Sequence, residues 1–292
     1  MVNTLVIDTS YGSTVGIVGY EPIVETDSRT HVERLQVNIA SVVEKAGLSA
    51  KDINRIVVGV GPAPFTGLRA GIVAAKAIAF ANKSSIIGCD SLLLQSKMVR
   101  CREFDKALKD GRVLKESICK KCDETSSHHY VLSLNDARRK QVYMSLYNEF
   151  GESVIDMDID YPNNIVERVN KYLESLNSFD YCVDVLGHGA KKYFEDWQKI
   201  SKVGFIADVC ALDLGAKGLE IFEDCALDQS QSTLDQSQSA LDQSQLNNKI
   251  AQKNVDPLYL RRPDVSVPNP LKHVLGSGAA NKLCDINQVD KK

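Results

Sequence analysis

The apolar positions of residues 1–98 switch between strand-like and helix-like spacing. Two strand-like runs, 5–10 and 14–21, flank a Tyr-Gly-Ser turn that is typical of a β-hairpin, and a third strand is predicted over 23–26. A helix is predicted over 29–46, because its apolar residues recur every three or four positions. The predicted elements that complete this segment are a buried strand at 55–60, a helix at 67–82 and, over 84–92, a short strand that enters a helix.

A looser version of the same order follows later in the chain. Residues 130–151 alternate around a charged turn and predict a hairpin, and residues 163–176 have the pattern of an amphipathic helix. Residues 181–197 predict a strand, a glycine turn and a helix, and residues 207–223 predict a further helix. The duplicated order predicts an α/β protein of two lobes, each with a mixed sheet flanked by helices.

Two segments interrupt this pattern. Residues 99–128 are charged and irregular, which indicates an insertion or linker. Residues 226–246 repeat a Leu-Asp-Gln-Ser-Gln unit with a period of seven, but each unit has only one strong apolar residue. A coiled coil is therefore not favoured, and the polar composition favours a flexible linker. The predicted domains are 1–98, 99–128, 129–223, 224–253 and 254–292.

Composition and charge narrow the class of protein. Apolar residues make up 43% of the 292 positions, which is enough for a sizeable core, and the net charge is -3. A chain with this charge is poorly suited to bind a nucleic-acid backbone by itself. The first residues lack a basic region and their apolar run ends at Asp8, so no signal peptide is predicted. The best apolar run, AGIVAAKAIAFA, is short and is broken by Lys76, so no membrane span is predicted. We therefore expect a cytoplasmic protein whose cysteines are reduced.

The stretch GVGPAPFTGLRAG at 59–71 looks like a phosphate-binding loop but fits neither of the two common patterns. A P-loop requires a lysine at the position that Leu68 occupies, and a dinucleotide fingerprint requires a glycine in place of Pro64. Pro62 and Pro64 also remove two backbone N–H donors. The loop is therefore predicted to be a poor phosphate site.

The helix that follows this loop is apolar or small on every side. A helix of this kind is usually covered on two faces. Its own sheet supplies one cover, and either another part of the chain or a partner protein supplies the other, so both interpretations stay open. One side carries Ala70, Gly71, Val73, Ala74 and Ala77, and the other carries Leu68, Ile72, Ala75, Ile78 and Ala79.

Four stretches in a fixed order resemble one known family. They are LVIDTS at 5–10, GVGPAPFTGLRAG at 59–71, NDARRKQVY at 135–143 and DPLYLRR at 256–262. Together they resemble the TsaB (YeaZ) family of bacterial tRNA-modification proteins over residues 1–95, 130–223 and 255–263. The family usually has Gly-Ser where this chain has Ala63-Pro64, and this departure weakens any ligand role for the loop.

The resemblance implies a fold and a role. The fold would be two ribonuclease-H-like lobes, as in actin, Hsp70 and sugar kinases. The role would be that of a non-catalytic dimerisation subunit, which binds and activates a TsaD-type transferase and works with a TsaE-type ATPase. That complex places threonylcarbamoyl on N6 of the tRNA adenosine next to the anticodon, and the family also forms homodimers. The resemblance implies partner-binding residues on the helices at 29–46 and 67–82, namely Val32, Leu35, Ile39, Val42, Leu68, Arg69, Ala70, Val73, Ala74 and Ala77.

The alternative class is an ATP-binding or metallopeptidase-like enzyme of the same superfamily. In that superfamily the first hairpin faces nucleotide phosphates, so Asp8, Thr9 and Ser10 are candidate nucleotide-binding residues; short polar residues at a strand end also simply cap turns. The catalytic paralogue has two metal-binding histidines four positions apart, but here His31 is followed by Leu35. We expect no metal and no cofactor, with ATP used by the partners.

Three further motifs each allow two interpretations. The set Cys101, Cys119, Cys122, His128 and His129 suits a structural zinc ion, or only solvated thiols, which we favour. The exposed-looking turn at Arg138 and Arg139 suits contact with tRNA or a partner carboxylate, or a solvated turn. The Gly-His-Gly turn at 187–189 suits close approach to a ligand, or only a tight turn. These motifs supply no recognisable set of nucleophile, base and orienting group.

Overall fold

The computed structural model describes residues 2–26, 31–110, 118–120, 128–176, 180–237 and 255–260. For His31, residues 118–120 and residues 231–237, it describes the backbone alone. All of these residues belong to one compact unit, Met1–Arg261. Its described elements are two β-sheets and the helices that pack on their faces.

The first sheet has five strands in the order β3-β2-β1-β4-β5. The first three strands are antiparallel to one another, and β1, β4 and β5 are parallel. The predicted hairpin and the following strands are therefore confirmed. The strands are β1 (Thr4–Asp8), β2 (Ser13–Ile17), β3 (Ile23–Glu25), β4 (Arg55–Gly61) and β5 (Ser85–Asp90).

Two long helices cover one face of this sheet. They are α1 (His31–Lys45) and α2 (Phe65–Asn82). Because alternate strand residues face opposite ways, Leu5 and Ile7 of β1 pack with these helices, whereas Val6 faces the other side. The helix α2 begins two residues earlier than predicted, directly after Pro64. Its last residue is Asn82, and the capping residue that follows, Lys83, has a left-handed conformation with φ of 56°.

The second sheet repeats the first and adds one edge strand. Its order is β6-β11-β10-β7-β8-β9. Helices α5 (Pro162–Glu174) and α6 (Phe194–Trp197) pack on its outer face, where Trp197 is fully buried. The repeated order confirms the predicted fold of two ribonuclease-H-like lobes. The strands are β6 (Ile118–Lys120), β7 (His128–Asp136), β8 (Val142–Tyr147), β9 (Ser153–Asp160), β10 (Tyr181–His188) and β11 (Val203–Ala207).

Three helices form a central layer that contacts both sheets. They are α3 (Ser91–Arg100), α4 (Glu103–Lys109) and α7 (Ala216–Ser237). One apolar cluster joins Val6 of the first sheet, Phe222 of α7 and Leu186 of the second sheet. This shared core holds the two lobes together. Among the described residues, no helix combines the length and the apolar composition needed to cross a membrane.

The prediction of an irregular insertion at 99–128 is wrong for its first part. The end of α3 and all of α4 lie there, and Phe104 and Ala107 are buried in the central core. The segment also supplies β6, which pairs with β11 at the edge of the second sheet. The charges of α4 hide its two inward-facing apolar positions, which are too few for a clear periodic signal in the sequence.

The prediction of a flexible linker from residue 224 is also wrong as far as Ser237. The helix α7 continues through the first polar repeat unit, and its last described residues belong to the second. Two polar residues of the repeat contact the rest of the protein. Asp228 pairs with Lys97 at 2.6 Å, and Gln229 accepts a hydrogen bond from the N–H of Asp90 at 3.3 Å. A helix that apolar residues have already nucleated extends at low cost into such a segment. The later units, 238–253, lie outside the described residues.

Candidate functional site

The helices α1 and α2 each expose apolar residues on the side away from the sheet: Val37 on α1, and Val73, Ala77 and Phe80 on α2. These four residues are called the apolar face below. The exposed fraction is 62% for Val37, 65% for Val73 and 89% for Phe80. On α2 the spacing of four and three residues places the last three members on one side of the helix. The opposite side, with Leu68, Ile72 and Ala75, is buried against the first sheet.

The structure divides the ten predicted partner-binding residues into three groups. Leu35, Val42 and Leu68 are at most 2% exposed and belong to the core of their own lobe, so the prediction that they contact a partner does not hold in this structure. The apolar spacing was correct, but it marks the face toward the sheet. The partly buried residues are Val32, Ile39, Ala70 and Ala74, and the exposed ones are Arg69, Val73 and Ala77.

Sequence reasoning missed two exposed apolar residues of this surface region, Phe80 and Val37. Phe80 lies seven positions after Val73 and therefore on the same side of α2, so helical spacing could have identified it. Val37 falls outside the apolar spacing of α1, which is itself the signal of an apolar side chain that does not face the core.

The glycines of the loop at 59–71 make room for protein atoms. A Cβ atom at Gly59 would overlap the carboxylate of Asp8, and a Cβ atom at Gly71 would overlap the side chain of Thr9. Ala63 keeps a negative φ, as the turn requires of a residue with a side chain. The loop therefore packs the first hairpin against α2, which supports the prediction that it is a poor phosphate site.

A short segment near the carboxyl end, 255–260, covers the outside of the same loop. The N–H of Leu258 donates to the carbonyl of Val60 at 2.8 Å. The Arg69 guanidinium lies 3.5 Å from the ring centre of Phe65, and its Nε donates to the Tyr259 hydroxyl at 2.6 Å. Arg69, which was predicted to contact a partner, is thus already engaged with this segment.

A small cleft lies where the first hairpin meets the second sheet. Its lining includes Asp8 and Ser10 from the first lobe and Asn135 and His188 from the second. The rings of Tyr11 and His188 stack across it with centres 3.8 Å apart. The cavity volume is about 40 Å³, which suits one or two water molecules and is far too small for a nucleotide.

Asp8 has the geometry of a turn-capping residue. Its Oδ1 accepts from the N–H of Ser10 at 2.9 Å and from the Ser10 hydroxyl at 2.7 Å. Burial raises the pKa of Asp8 above its usual value, although the bonds from Ser10 act in the opposite direction. An acceptor that bonds to the N–H two residues on is a common local turn motif. The capping interpretation of Asp8, Thr9 and Ser10 is thus the one the geometry favours.

The turn between β7 and β8 is strained and basic. Arg138, Arg139 and Lys140 are all exposed and have φ of 65°, 51° and 62°, a left-handed region that residues with side chains rarely adopt. Asp136 pairs with Lys192 at 2.9 Å beside it. Contact of Arg138 and Arg139 with tRNA or a partner stays a prediction.

The two glycines around His188 serve a tight turn. Gly187 and Gly189 have φ of +119° and +120°, and the N–H of Gly189 donates to Asp208 at 2.9 Å. The stacking of His188 on Tyr11 was not expected from the sequence. A histidine between two glycines at a strand end was the signal that could have indicated it.

The predicted cysteine and histidine set is only partly within the described residues. Cys101 is exposed, whereas the side chain of Cys119 and all of Cys122 lie outside the description. His128 and His129 point to opposite faces of the second sheet, as successive strand residues must. His128 pairs with Glu149 at 2.9 Å, and His129 faces Cys182 and Asp184.

The fold and this surface define a class: a two-lobed α/β protein with a nearly closed cleft and an exposed apolar helical face. A family model described as TsaD: tRNA N6-adenosine threonylcarbamoyltransferase matches residues 17–108. An uncharacterised protein of Mycobacterium tuberculosis H37Rv is 40% identical over 95 residues, which are 30% of this chain and 45% of that protein. The chain thus spans less than half of the mycobacterial relatives that it matches.

Two further comparisons bear on the resemblance to the TsaB (YeaZ) family. The Bacillus subtilis tRNA threonylcarbamoyladenosine biosynthesis protein TsaB is 26% identical over 179 residues, 58% of this chain and 62% of that protein. The solved structure of YeaZ from Pseudomonas aeruginosa has a TM-score of 0.53 at 18% identity, covering 89% of this chain and 100% of that one, which shows the shared fold. The chain is a relative of the TsaB (YeaZ) proteins, and the family resemblance seen in the sequence is confirmed.

Proposed function

We propose that this protein is a non-catalytic subunit of the machinery that makes N6-threonylcarbamoyladenosine in tRNA, and that it binds and activates a TsaD-type transferase. The pathway in this proposal is that of the two TsaB relatives, which are named as tRNA threonylcarbamoyladenosine biosynthesis proteins. The observation that carries the proposal is the exposed apolar face of α1 and α2, because this face lies within the segment that matches the TsaD family model.

The apolar face has the chemistry of a protein interface. Phe80 is 89% exposed, so it adds almost nothing to the core of its own lobe, yet a large ring is the kind of side chain that anchors an interface. Small and branched residues beside it, Ala77 and Val73, permit close approach of a second helix. Polar residues of the same helix, such as Lys76, supply the solvated rim that an interface needs.

A non-catalytic role is supported by the chemistry of the lobes. The cleft is too small for a nucleotide, and protein atoms fill the space beside the loop glycines. Leu35, which stands where a second metal-binding histidine would be, lies in the core. In this proposal ATP is used by a TsaE-type partner, tRNA is contacted through the complex, and the protein works in the cytoplasm. The same face would allow a homodimer when the TsaD-type partner is absent.

The test is co-elution with the TsaD-type protein of the same organism on a sizing column. We compare wild type with Phe80→Arg, and use Phe150→Arg as the matched control, since Phe150 is also an exposed phenylalanine at 72% but lies in the second lobe. Loss of an interface anchor costs about 2 kcal/mol or more, or roughly a 30-fold weaker complex. We expect wild type and the control to bind and Phe80→Arg to fail. Equal binding by both variants would contradict the proposed interface.

The alternative is an ATP-binding or metallopeptidase-like enzyme, and the placement of Asp8 in the cleft is the observation that favours it. A ligand that binds only the folded state must raise the apparent stability. A rise in the melting temperature with ATP and Mg²⁺ that Asp8→Asn abolishes would support this alternative. An unchanged melting temperature favours the subunit role.

A further inference from the structure

We infer that His129, Cys182 and Asp184 form a site for a divalent metal ion of the zinc class on the second sheet. Strands β7 and β10 are parallel neighbours, and their register places Cys182 beside His129. Asp184 lies two positions after Cys182 and so on the same side of the sheet. His129 lies more than 50 positions before the other two residues in the sequence, and the pairing of β7 with β10 brings it beside them.

The distances between the donor atoms suit one ion. His129 Nδ1 lies 3.1 Å from Asp184 Oδ2 and 3.1 Å from the Cys182 sulfur, and the sulfur lies 4.0 Å from Asp184 Oδ1. Three ligand atoms around a tetrahedral zinc ion lie roughly 3.3 to 3.6 Å apart, given zinc bonds of about 2.0 to 2.3 Å. One donor atom from each residue, taken together, lies within 4.8 Å of the other two. Side-chain movements on the order of an ångström would bring such a set to the spacing that a single zinc ion requires.

Neighbouring backbone holds the carboxylate in place. The N–H of Phe205 donates to Asp184 Oδ1 at 2.8 Å, which leaves Oδ2 directed at the imidazole. A Cβ atom at Gly204 would overlap this carboxylate and would approach the Cys182 sulfur at 3.2 Å. Gly204 is not among the glycines with positive φ, so its small size matters here for space. Hydrogen bonds that orient a ligand in this way are a regular feature of metal sites.

The three groups differ in their exposure to solvent, which reaches the site from the side of the imidazole. The side chain of Asp184 is 2% exposed and Cys182 is 2% exposed, whereas the side chain of His129 is 39% exposed. A thiolate, an imidazole and a carboxylate are the three ligand types that zinc prefers. Binding would release the thiol proton of Cys182 to water, and water would occupy the fourth position.

The competing interpretation is an ordinary His129–Asp184 ion pair with a neighbouring thiol. The two interpretations differ in the role of Cys182, because an ion pair does not need the sulfur. The inference does not depend on the proposed subunit role, since the site uses no residue of the apolar face.

The experiment is titration of the untagged, reduced full-length protein with Co²⁺, followed by its displacement with Zn²⁺. A cobalt–thiolate bond gives a charge-transfer absorption band, which reports on the sulfur directly. We expect wild type to show the band and Cys182→Ser and Asp184→Asn to bind more than about 100-fold more weakly, since even losing an orienting neighbour of a metal ligand typically costs 10- to 100-fold. The matched controls are Cys210→Ser and the double variant Cys119→Ser/Cys122→Ser, which should keep the band.

The outcomes that overturn the inference are equally definite. Absence of cobalt binding by wild type overturns it. So does a band that survives in Cys182→Ser, because the thiolate that binds the metal is then another cysteine; loss of the band in a control variant would show which one. If Cys182→Ser does not fold, His129→Gln decides, since this side chain is partly exposed and its replacement leaves the core intact.

Discussion

Replacing Asp90 by asparagine should stabilise the protein at neutral pH. Asp90 ends β5 and caps α3, where its Oδ1 accepts from the N–H groups of Leu92 at 2.8 Å and Leu93 at 3.4 Å. Its Oδ2 accepts from the hydroxyl of Tyr147, in the second sheet, at 3.4 Å. Asparagine keeps the capping oxygen, and its amide can donate to the phenol oxygen. The substitution therefore removes the charge and little else.

The magnitude follows from the environment of the carboxyl group. Burial raises the pKa of Asp90 from 3.8 to about 6. At about 1.4 kcal/mol per pKa unit, the ionised carboxylate costs the folded state on the order of 3 kcal/mol at neutral pH. The folded state binds the proton more tightly than the unfolded state, so stability from this group is complete below about pH 4 and is lost as pH rises through about 6. The side chain of asparagine does not ionise, so the Asp90→Asn variant keeps this stability as the pH rises.

The assay is urea denaturation followed by the fluorescence of Trp197, the single tryptophan, at about pH 4.5 and about pH 8. The advantage of Asp90→Asn should grow by about 2 kcal/mol between the two values. The control is Asp52→Asn, because bonds from Ser49 lower the pKa of Asp52. Asp52→Asn should be less stable than wild type already at about pH 4.5, and this difference should not grow between about pH 4.5 and about pH 8. An advantage of Asp90→Asn that is the same at both pH values would refute the reasoning.

Two further predictions concern the loop at 59–71. Gly59→Ala and Gly71→Ala should each lower the free energy of unfolding by about 1–3 kcal/mol, because the new Cβ atom overlaps the first hairpin; unchanged melting temperatures would contradict this. Arg69→Ala should speed hydrogen exchange in residues 255–260, because it removes the stacking and the bond to Tyr259. Lys76→Ala, which loses only an exposed pair at 3.8 Å, should leave the exchange unchanged, and equal effects would show that Arg69 is not what holds the segment.

The local elements could be predicted from the sequence because their signals are local. Alternation and the Tyr-Gly-Ser turn indicated the first hairpin, and apolar spacing indicated α1, α2 and α5, which the structure places within two residues of the expected bounds. The central layer could not be predicted in the same way. The position of α4 in the central core depends on contacts of Phe104 with residues about 100 positions away, such as Phe205, whose ring centre lies 5.5 Å from that of Phe104. No short window of sequence contains that information.

The same limit applies to the two candidate sites. Apolar spacing indicated that α1 and α2 have faces, but the residues alone could not say which face meets the sheet, and so Leu35 and Leu68 were assigned to the wrong side. The sequence groups His128 and His129 with Cys101, Cys119 and Cys122, because these residues lie within about 30 positions of one another. The register of β7 and β10 supplies a different partner, Cys182, which sequence spacing cannot reveal.

The helix α2 shows why an apolar composition and a buried position are different properties. The apolar composition of α2 predicts that two of its sides are packed against other elements. The first sheet covers one side, which carries Leu68, Ile72 and Ala75. On the other side Val73 and Phe80 remain largely exposed to water in the chain by itself. Their transfer out of water is favourable by roughly 25 cal/mol per Å² and has not been used in folding. That free energy is available to association. The exposed apolar side of α2 therefore suits a protein partner better than a small ligand.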